Sequence, residues 1–359
     1  MLFRSMNAFK DNLPQEMKGQ LKVVVDQLTA GPAGPLSLKG EGALTDGFLR
    51  IKALVAPLET LEAKFTVSEL AIMLADGSFS LGKGKVEFSG DIKDYLGRQD
   101  FQARIKTNGV DLSQCIYQSK NPVKAKGLVF AEFQLQGQGF DSNALFSKLN
   151  GNGSLEIKDG RLTDINILKM VLAKLSFIPH LAETLEANLP ERFKEKLQQK
   201  DTIVTAFKAT AGINDGKVSL QPMNMEADGF LFQADGAVGF DQSYAFDGSF
   251  IIPEDLATRM VAVVPQMAYL KDETEQIRFP LRISGKGASV SFMPDIKQIG
   301  ATVFENKGRQ ELEKVLDKVF KNRDTSAQVN TPPAVTGEED KKKDKQQLIR
   351  DIIGTILKK

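Results

Sequence analysis

Apolar and polar residues alternate with period two over most of the chain. Phe101, Ala103 and Ile105 are interleaved with Gln102, Arg104 and Lys106, and Phe133 and Leu135 with Glu132, Gln134 and Gln136. Leu155 and Ile157, Phe279, Leu281 and Ile283, and Val290 and Phe292 sit in the same kind of alternation. Each run reads as a strand with one apolar face and one wet face. That is the antiparallel pattern, because buried parallel strands read as unbroken apolar runs. Asp-Gly pairs begin at Asp46, Asp76, Asp159, Asp215, Asp228, Asp235 and Asp247, and Asn-Gly pairs at Asn108, Asn150 and Asn152. Such pairs tolerate the positive φ of tight hairpin turns. They predict a meander of hairpins, although Asp228 and Asp235 lie too close together for two full hairpins.

Gly-x-Gly recurs at Gly40/Gly42, Gly82/Gly84, Gly137/Gly139, Gly151/Gly153 and Gly285/Gly287. A dinucleotide-binding loop needs a third glycine three residues on, followed by a helix. Those positions hold Thr45, Glu87, Ser142, Glu156 and Val290. Glycines two apart instead share one strand face, where they remove side chains and let the sheet bend or bulge. The predicted fold is therefore mainly β: a long curled antiparallel sheet, a groove-like hairpin meander over about residues 35–295, with a few amphipathic helices.

Helical spacing interrupts the strands. Asp164 is placed to cap a helix carrying Ile165, Leu168, Val171, Leu172 and Leu175, continued past Pro179 by Leu181, Leu185, Leu189, Phe193 and Leu197. A second stretch runs from about Glu254 to Leu270, kinked or split by Pro265. A third, 308–321, carries Leu312, Val315, Leu316, Val319 and Phe320. The segment from Met17 to Leu28 fits either helix or strand. Residues 322–345 read as a polar linker. Beyond it, Leu348, Ile349, Ile352, Ile353, Ile356 and Leu357 share one helical face, flanked by lysines on both sides. That tail is about 18 Å long at 1.5 Å per residue, too short for a bilayer core of ~30 Å. It suits docking on a protein partner, on the open end of the sheet, or on an anionic membrane surface, the first being preferred. The chain thus divides into 1–30, a first β-rich region 31–125, a second 126–321 with inserted helices, the linker 322–345 and the tail 346–359.

Composition narrows the chemistry. With 47 Lys+Arg against 46 Asp+Glu the formal charge is +1, which argues against nucleic acid as a partner. One cysteine, Cys115, excludes an intrachain disulfide and a cysteine-rich zinc site, and one histidine, His180, excludes a paired-histidine metal motif. Nothing supports an enzyme, a metal or a cofactor. No stretch reaches the length of a membrane span, and Met1–Lys10 has no continuous apolar core, so it is no secretory signal. The chain is then either cytosolic or begins inside a longer one.

The runs Gly151–Leu162, Phe207–Leu220, Phe232–Phe250 and Phe279–Phe292, each a glycine-punctuated apolar alternation, resemble the C-terminal region of AsmA-family proteins. The similarity is best over about 126–300 and weaker over 20–125. It implies a protein of the Gram-negative envelope, anchored in the inner membrane by an N-terminal helix with its β-rich body in the periplasm. It also implies a role in outer-membrane biogenesis, with larger relatives carrying phospholipid along a long β-groove. This chain lacks the anchor. A sheet of roughly a dozen strands at ~4.8 Å spacing is ~60 Å across, more than three short helices cover. The apolar face must be sealed by a second layer, or shelter acyl chains worth about 0.8 kcal/mol per buried CH₂. The residues alone leave both open, and the resemblance favours the groove. On that reading Leu155, Ile157, Phe207, Phe230, Phe232, Phe246, Phe250, Phe279 and Leu281 contact phospholipid or another acyl-chain lipid. The partners are then envelope membranes and, for the C-terminal helix, a protein. The alternative is a structural or protein-interaction β-domain that assists outer-membrane protein assembly without lipid cargo.

Overall fold

Residues 14–29, 37–51, 54–115, 124–140, 145, 147–175, 180–287, 289–307 and 347–349 are described by a computed structural model. Period-two alternation becomes one 14-stranded sheet in which every strand pairs antiparallel with its sequence neighbours. The strands are β1 (Pro14–Thr29), β2 (Ser37–Ile51), β3 (Leu58–Val67), β4 (Ala71–Leu81), β5 (Gly84–Lys93), β6 (Asp100–Asp111) and β7 (Lys124–Gln138). They continue as β8 (Asn150–Thr163), β9 (Thr202–Asn214), β10 (Lys217–Ala227), β11 (Phe230–Gly239), β12 (Ser243–Ile252), β13 (Ile277–Lys286) and β14 (Ser289–Pro294). The sheet stays open, with β1 paired only to β2 and β14 only to β13. The ambiguous segment from Met17 to Leu28 is strand, extending the sheet beyond residue 35 to Pro14; Gly19, which weakens a helix, sits here beside a register shift. The boundary expected near residue 125 falls inside β7, which pairs with β6 on one side and β8 on the other.

Cross-strand partners point to the same side of a sheet, so the registers fix two continuous faces. One carries Phe65, Leu74, Phe88, Ile105, Phe133, Leu155, Phe207, Met225, Phe232, Phe250 and Phe279. The other is polar and laced by cross-strand ion pairs: Arg104–Glu132, Lys208–Glu156 at 3.4 Å, and a bidentate Arg282–Asp247 pair at 2.5 and 3.0 Å; Lys85 Nζ–Glu87 at 2.9 Å adds a pair within β5.

The Asp-Gly and Asn-Gly pairs correct the hairpin expectation. Asp215-Gly216, with φ of 50° and 71°, forms the β9–β10 turn, and Asp228-Gly229 the β10–β11 turn. The other eight lie inside strands. Asp46 and Asp159 keep left-handed φ values of 51° and 52°, but they sit at register shifts with β3 and β7, so the conformation these pairs favour is used for bulges.

In a meander, alternate connections emerge at the same rim. Among the described residues, the insertions after β6, β8 and β12 leave from the rim that joins even strands to odd ones, while a helical piece at Leu145, Ser147 and Lys148 lies at the opposite rim, between β7 and β8. After β6 comes the short helix α1 (Leu112–Cys115). After β8 come α2 (Ile167–Leu172), α3 (Leu181–Asn188) and α4 (Glu191–Gln198), and after β12 come α5 (Glu254–Val263) and a 3₁₀ turn (Pro265–Leu270) split off at Pro265. The α2 cap is Asn166, whose Oδ1 accepts the Lys169 N–H, and not Asp164, which takes φ 62° two residues too early. A further helix, α6 (Ile296–Lys307), follows β14. The helix expected at 308–321, the linker 322–345 and residues 1–13 lie outside the described residues.

Candidate functional site

The helices lie on the apolar face of the C-terminal strands. Leu168, Val171, Leu172, Leu185, Phe193, Leu256, Met260, Met267, Ile299 and Val303 form one buried cluster with Phe230, Phe232, Phe250, Ile252, Ile277, Phe279 and Leu281. The rings stand in a ladder, with Phe230–Phe250 centroids 4.6 Å apart and Phe250–Phe279 5.4 Å. The lid is also held by polar bonds. Thr202, buried, donates from Oγ1 to the Ile165 carbonyl at 2.6 Å and accepts the Ile167 N–H at 2.9 Å. Asn166 Nδ2 donates to the Lys196 carbonyl, Lys169 pairs with Glu186, and Lys196 pairs with Asp228. Asp201 accepts the Asp164 N–H at 2.9 Å and an Arg161 N–H at 3.1 Å, which hold its carboxyl below the usual Asp range.

This placement divides the residues expected to touch lipid. All nine lie on the apolar face. Leu155, Ile157, Phe207 and Phe246 are half-buried on it. Phe230, Phe232, Phe250, Phe279 and Leu281 are at most 1 % exposed, packed under this chain's own helices, so a groove role for these five is corrected to a core role. Sequence periodicity gives the face of a residue but not what lies above it. In the tail, Ile349 is buried in the same cluster and Leu348 packs against it, so these two meet this chain's own core. Ile352, Ile353, Ile356 and Leu357 lie outside the described residues.

Over β1–β7, among the described residues, the same face is covered only along the insertion rim. There Val55 and Ala56 donate their N–H groups to the Gln114 carbonyl, both at 3.2 Å. Ala56, Leu58, Leu81, Val86 and Val110 make a small core flanked by Phe79, Ile105 and Cys115. Burial, with Asp111 nearby, pushes the Cys115 thiol up, away from thiolate reactivity. Towards the hairpin rim, Phe65, Val67, Ile72, Leu74, Phe88, Ile92, Phe101 and Leu135 are half-buried with no helix of the described residues above them, and β1 adds exposed Met17, Leu21, Val23 and Val25.

Glycines shape this open strip. Each of Phe65, Phe88, Phe101 and Phe133 lies opposite a glycine of a neighbouring strand: Gly42, Gly77, Gly137 and Gly153. A Cβ built on these glycines would come within 2.2–2.6 Å of the ring, so the rings lie down over them. The floor is flat, apolar and without free backbone groups, because the ladder on both sides uses them. Within it lies an open hollow of about 350 Å³ lined by Ile72, Leu74, Phe79, Val86, Phe88, Ile92, Phe101, Ala103, Ile105 and Phe140. This strip can take hydrocarbon, and it offers polar ligands few partners. Sequence reasoning missed these N-terminal residues. The signal for them was the offset between Gly-x-Gly in one strand and Phe in the next.

His180 is exposed at the left-handed start of α3, with φ 52°. Among the described residues no three His, Cys, Asp or Glu side chains converge as a metal site, and no helix is long and apolar enough to cross a membrane.

A model of the AsmA family matches residues 43–223, half of the chain. The match lies further toward the N-terminus than the 126–300 region in which the resemblance is most visible by eye, and it takes in the open strip. Neither a curated protein nor a solved structure matches the chain.

Proposed function

The chain belongs to the AsmA family, and from that premise we propose that it is a non-enzymatic protein of the bacterial cell envelope whose open apolar strip binds or conducts phospholipid acyl chains in outer-membrane biogenesis. It works in the periplasm, associated with the inner membrane. The observation that carries this reading is the uneven covering of one apolar face. Among the described residues, the chain seals that face with its own helices over the C-terminal strands and leaves much of it only half-buried over β3–β7 and exposed on β1. A contiguous apolar surface running across several strands marks an interaction or ligand-binding face. Acyl chains would remove it from water at about 25 cal/mol per Å².

The test is extraction and mass spectrometry of the protein purified without detergent. Phospholipid at near-stoichiometric amount is expected, and Leu74→Glu and Phe88→Glu should lose it while melting stays close to wild type. Lipid-free protein that also takes up none from vesicles overturns the reading.

A second reading, a protein-interaction β-domain assisting outer-membrane protein assembly, draws on β1. This is a sixteen-residue edge strand with Met17 75 % and Leu21 63 % exposed. Such an edge can accept a partner's strand. Pull-down that depends on β1 and ignores Leu74→Glu would favour it.

A further inference from the structure

Within the open strip the aromatic rings do not all lean the same way, and the direction of lean creates a discrete hole. Phe88 on β5 lies back over Gly77 of β4, while Phe101 on β6 lies forward over Gly137 of β7. The two rings part along the β5–β6 ladder. In the gap the directly paired residues are Gly90 and Ala103, the smallest pair available. Gly90 admits no side chain, since a Cβ there would fall 2.3 Å from the Gln102 carbonyl oxygen. Phe140, at the hairpin rim, stacks on Phe101 with centroids 5.4 Å apart and walls the far side. Ile72 and Leu74 wall the near side.

From this we infer that the β4–β6 hollow over Gly90 and Ala103 is a discrete holding site for the hydrocarbon of one alkyl chain, a resting point within the strip and not a uniform stretch of it. The inference rests on the acyl-chain reading above and specifies where the chain stops. Its volume of about 350 Å³ takes roughly a dozen methylene-sized groups at ~30 Å³ each, the liquid share of one water. That matches a single chain segment and not a pair of tails side by side. The walls are carbon, and the floor's N–H and C=O groups are already used in the β5–β6 ladder. A peptide segment would leave its own backbone unpaired there, whereas an alkyl chain leaves nothing unpaired.

The protein has no tryptophan, so one introduced indole reports on one place. Single-tryptophan variants Phe88→Trp in the hollow, Phe65→Trp on the strip outside it and Phe130→Trp on the polar face would be delipidated. Each is then titrated with stearate carrying two bromines at mid-chain, a contact quencher. The expected result is strong, saturable quenching at position 88, several-fold weaker quenching at 65, and none at 130. Ala103→Phe fills the hollow and should abolish quenching at 88 while the melting curve is retained. Ala103→Leu, a smaller plug, should give an intermediate loss and serves if the phenylalanine variant does not fold. Equal quenching at 65 and 88 that ignores residue 103 overturns the holding site and leaves the acyl-chain reading standing. No quenching at either position overturns both.

Discussion

The two ends of this sheet start from the same strand chemistry and finish differently. At the C-terminal end, phenylalanines pair with phenylalanines: Phe232 faces Phe250, and Phe250 faces Phe279. Such rings cannot lie flat on one another's backbone, so they stand up and interdigitate with the helices inserted after β8 and β12. At the N-terminal end, phenylalanines pair with glycines and lie down, as Phe246 does over Gly236 at the hairpin rim of the C-terminal half. A flat ring presents a face but no knob for a helix to grip, and among the described residues the connections there carry only short helical pieces such as α1. The contrast shows that what stands opposite an aromatic residue helps decide whether it becomes core or surface. Burial of hydrocarbon then falls to the chain itself at one end and to a ligand at the other.

The contrast breaks first if core and strip respond alike to truncation. Phe250→Ala should cost about 3–5 kcal/mol, the usual range for a fully enclosed ring. Phe232→Glu should leave no stable C-terminal half, because the charge would be buried without a partner. Phe88→Ala should cost less than half as much as Phe250→Ala. Equal losses in chemical denaturation would mean that the strip is as sealed as the core.

The lid itself is tested next. Thr202→Val keeps the shape, removes both hydroxyl bonds and strands the buried Ile167 N–H, an expected cost of about 1–3 kcal/mol. Hydrogen exchange should speed up over α2 and leave β4–β6 unchanged. Spread of that loss into β4–β6 would show that the two regions do not act independently.

A smaller effect sharpens the glycine argument. Gly77→Ala places a methyl 2.4 Å from the Phe88 ring and should cost about 1–3 kcal/mol as overpacking. Phe88→Leu added to it should recover part of that loss. A double-mutant cycle with no coupling would mean that the ring does not rest on Gly77.

The smallest effect is pH dependence at the lid. Asp201 has its folded-state pKa depressed, first by the Asp164 N–H and then by Arg161. Its contribution is therefore present in full above the ordinary Asp range and lost as pH falls through the depressed value. Asp201→Asn should melt slightly below wild type at neutral pH, and the gap should close in acid. A gap that widens in acid would contradict the assignment.

Much of this was legible in the residues. Alternation at Phe101–Lys106 and Leu155–Lys158 gave strands and the correct face, and the 3.6-residue spacing from Leu168 to Leu197 gave the inserts. Three things were not legible, each for a physical reason. Asp-Gly favours positive φ, which serves a bulge at Asp46 as well as a turn at Asp215. The helix Ile296–Lys307 carries Gly300 and little besides Ile299 and Val303 as buried apolar spacing, too weak to outweigh the strand beside it. The division of one apolar face into sealed and open parts depends on where the inserts fold back, which no local pattern encodes. For that reason Phe232 and Phe88 read alike in sequence.

The most direct test of the account is to load the delipidated protein with a phospholipid bearing a photoactivatable diazirine in one acyl chain, irradiate it and map the modified residues. The account predicts labels on apolar-face residues of β3–β7, concentrated around Ile72, Leu74, Phe88 and Phe101. It predicts none on Phe232, Phe250 or Phe279 and none on the polar face. Labels spread equally over both faces, or centred on the helix-covered strands, would contradict it.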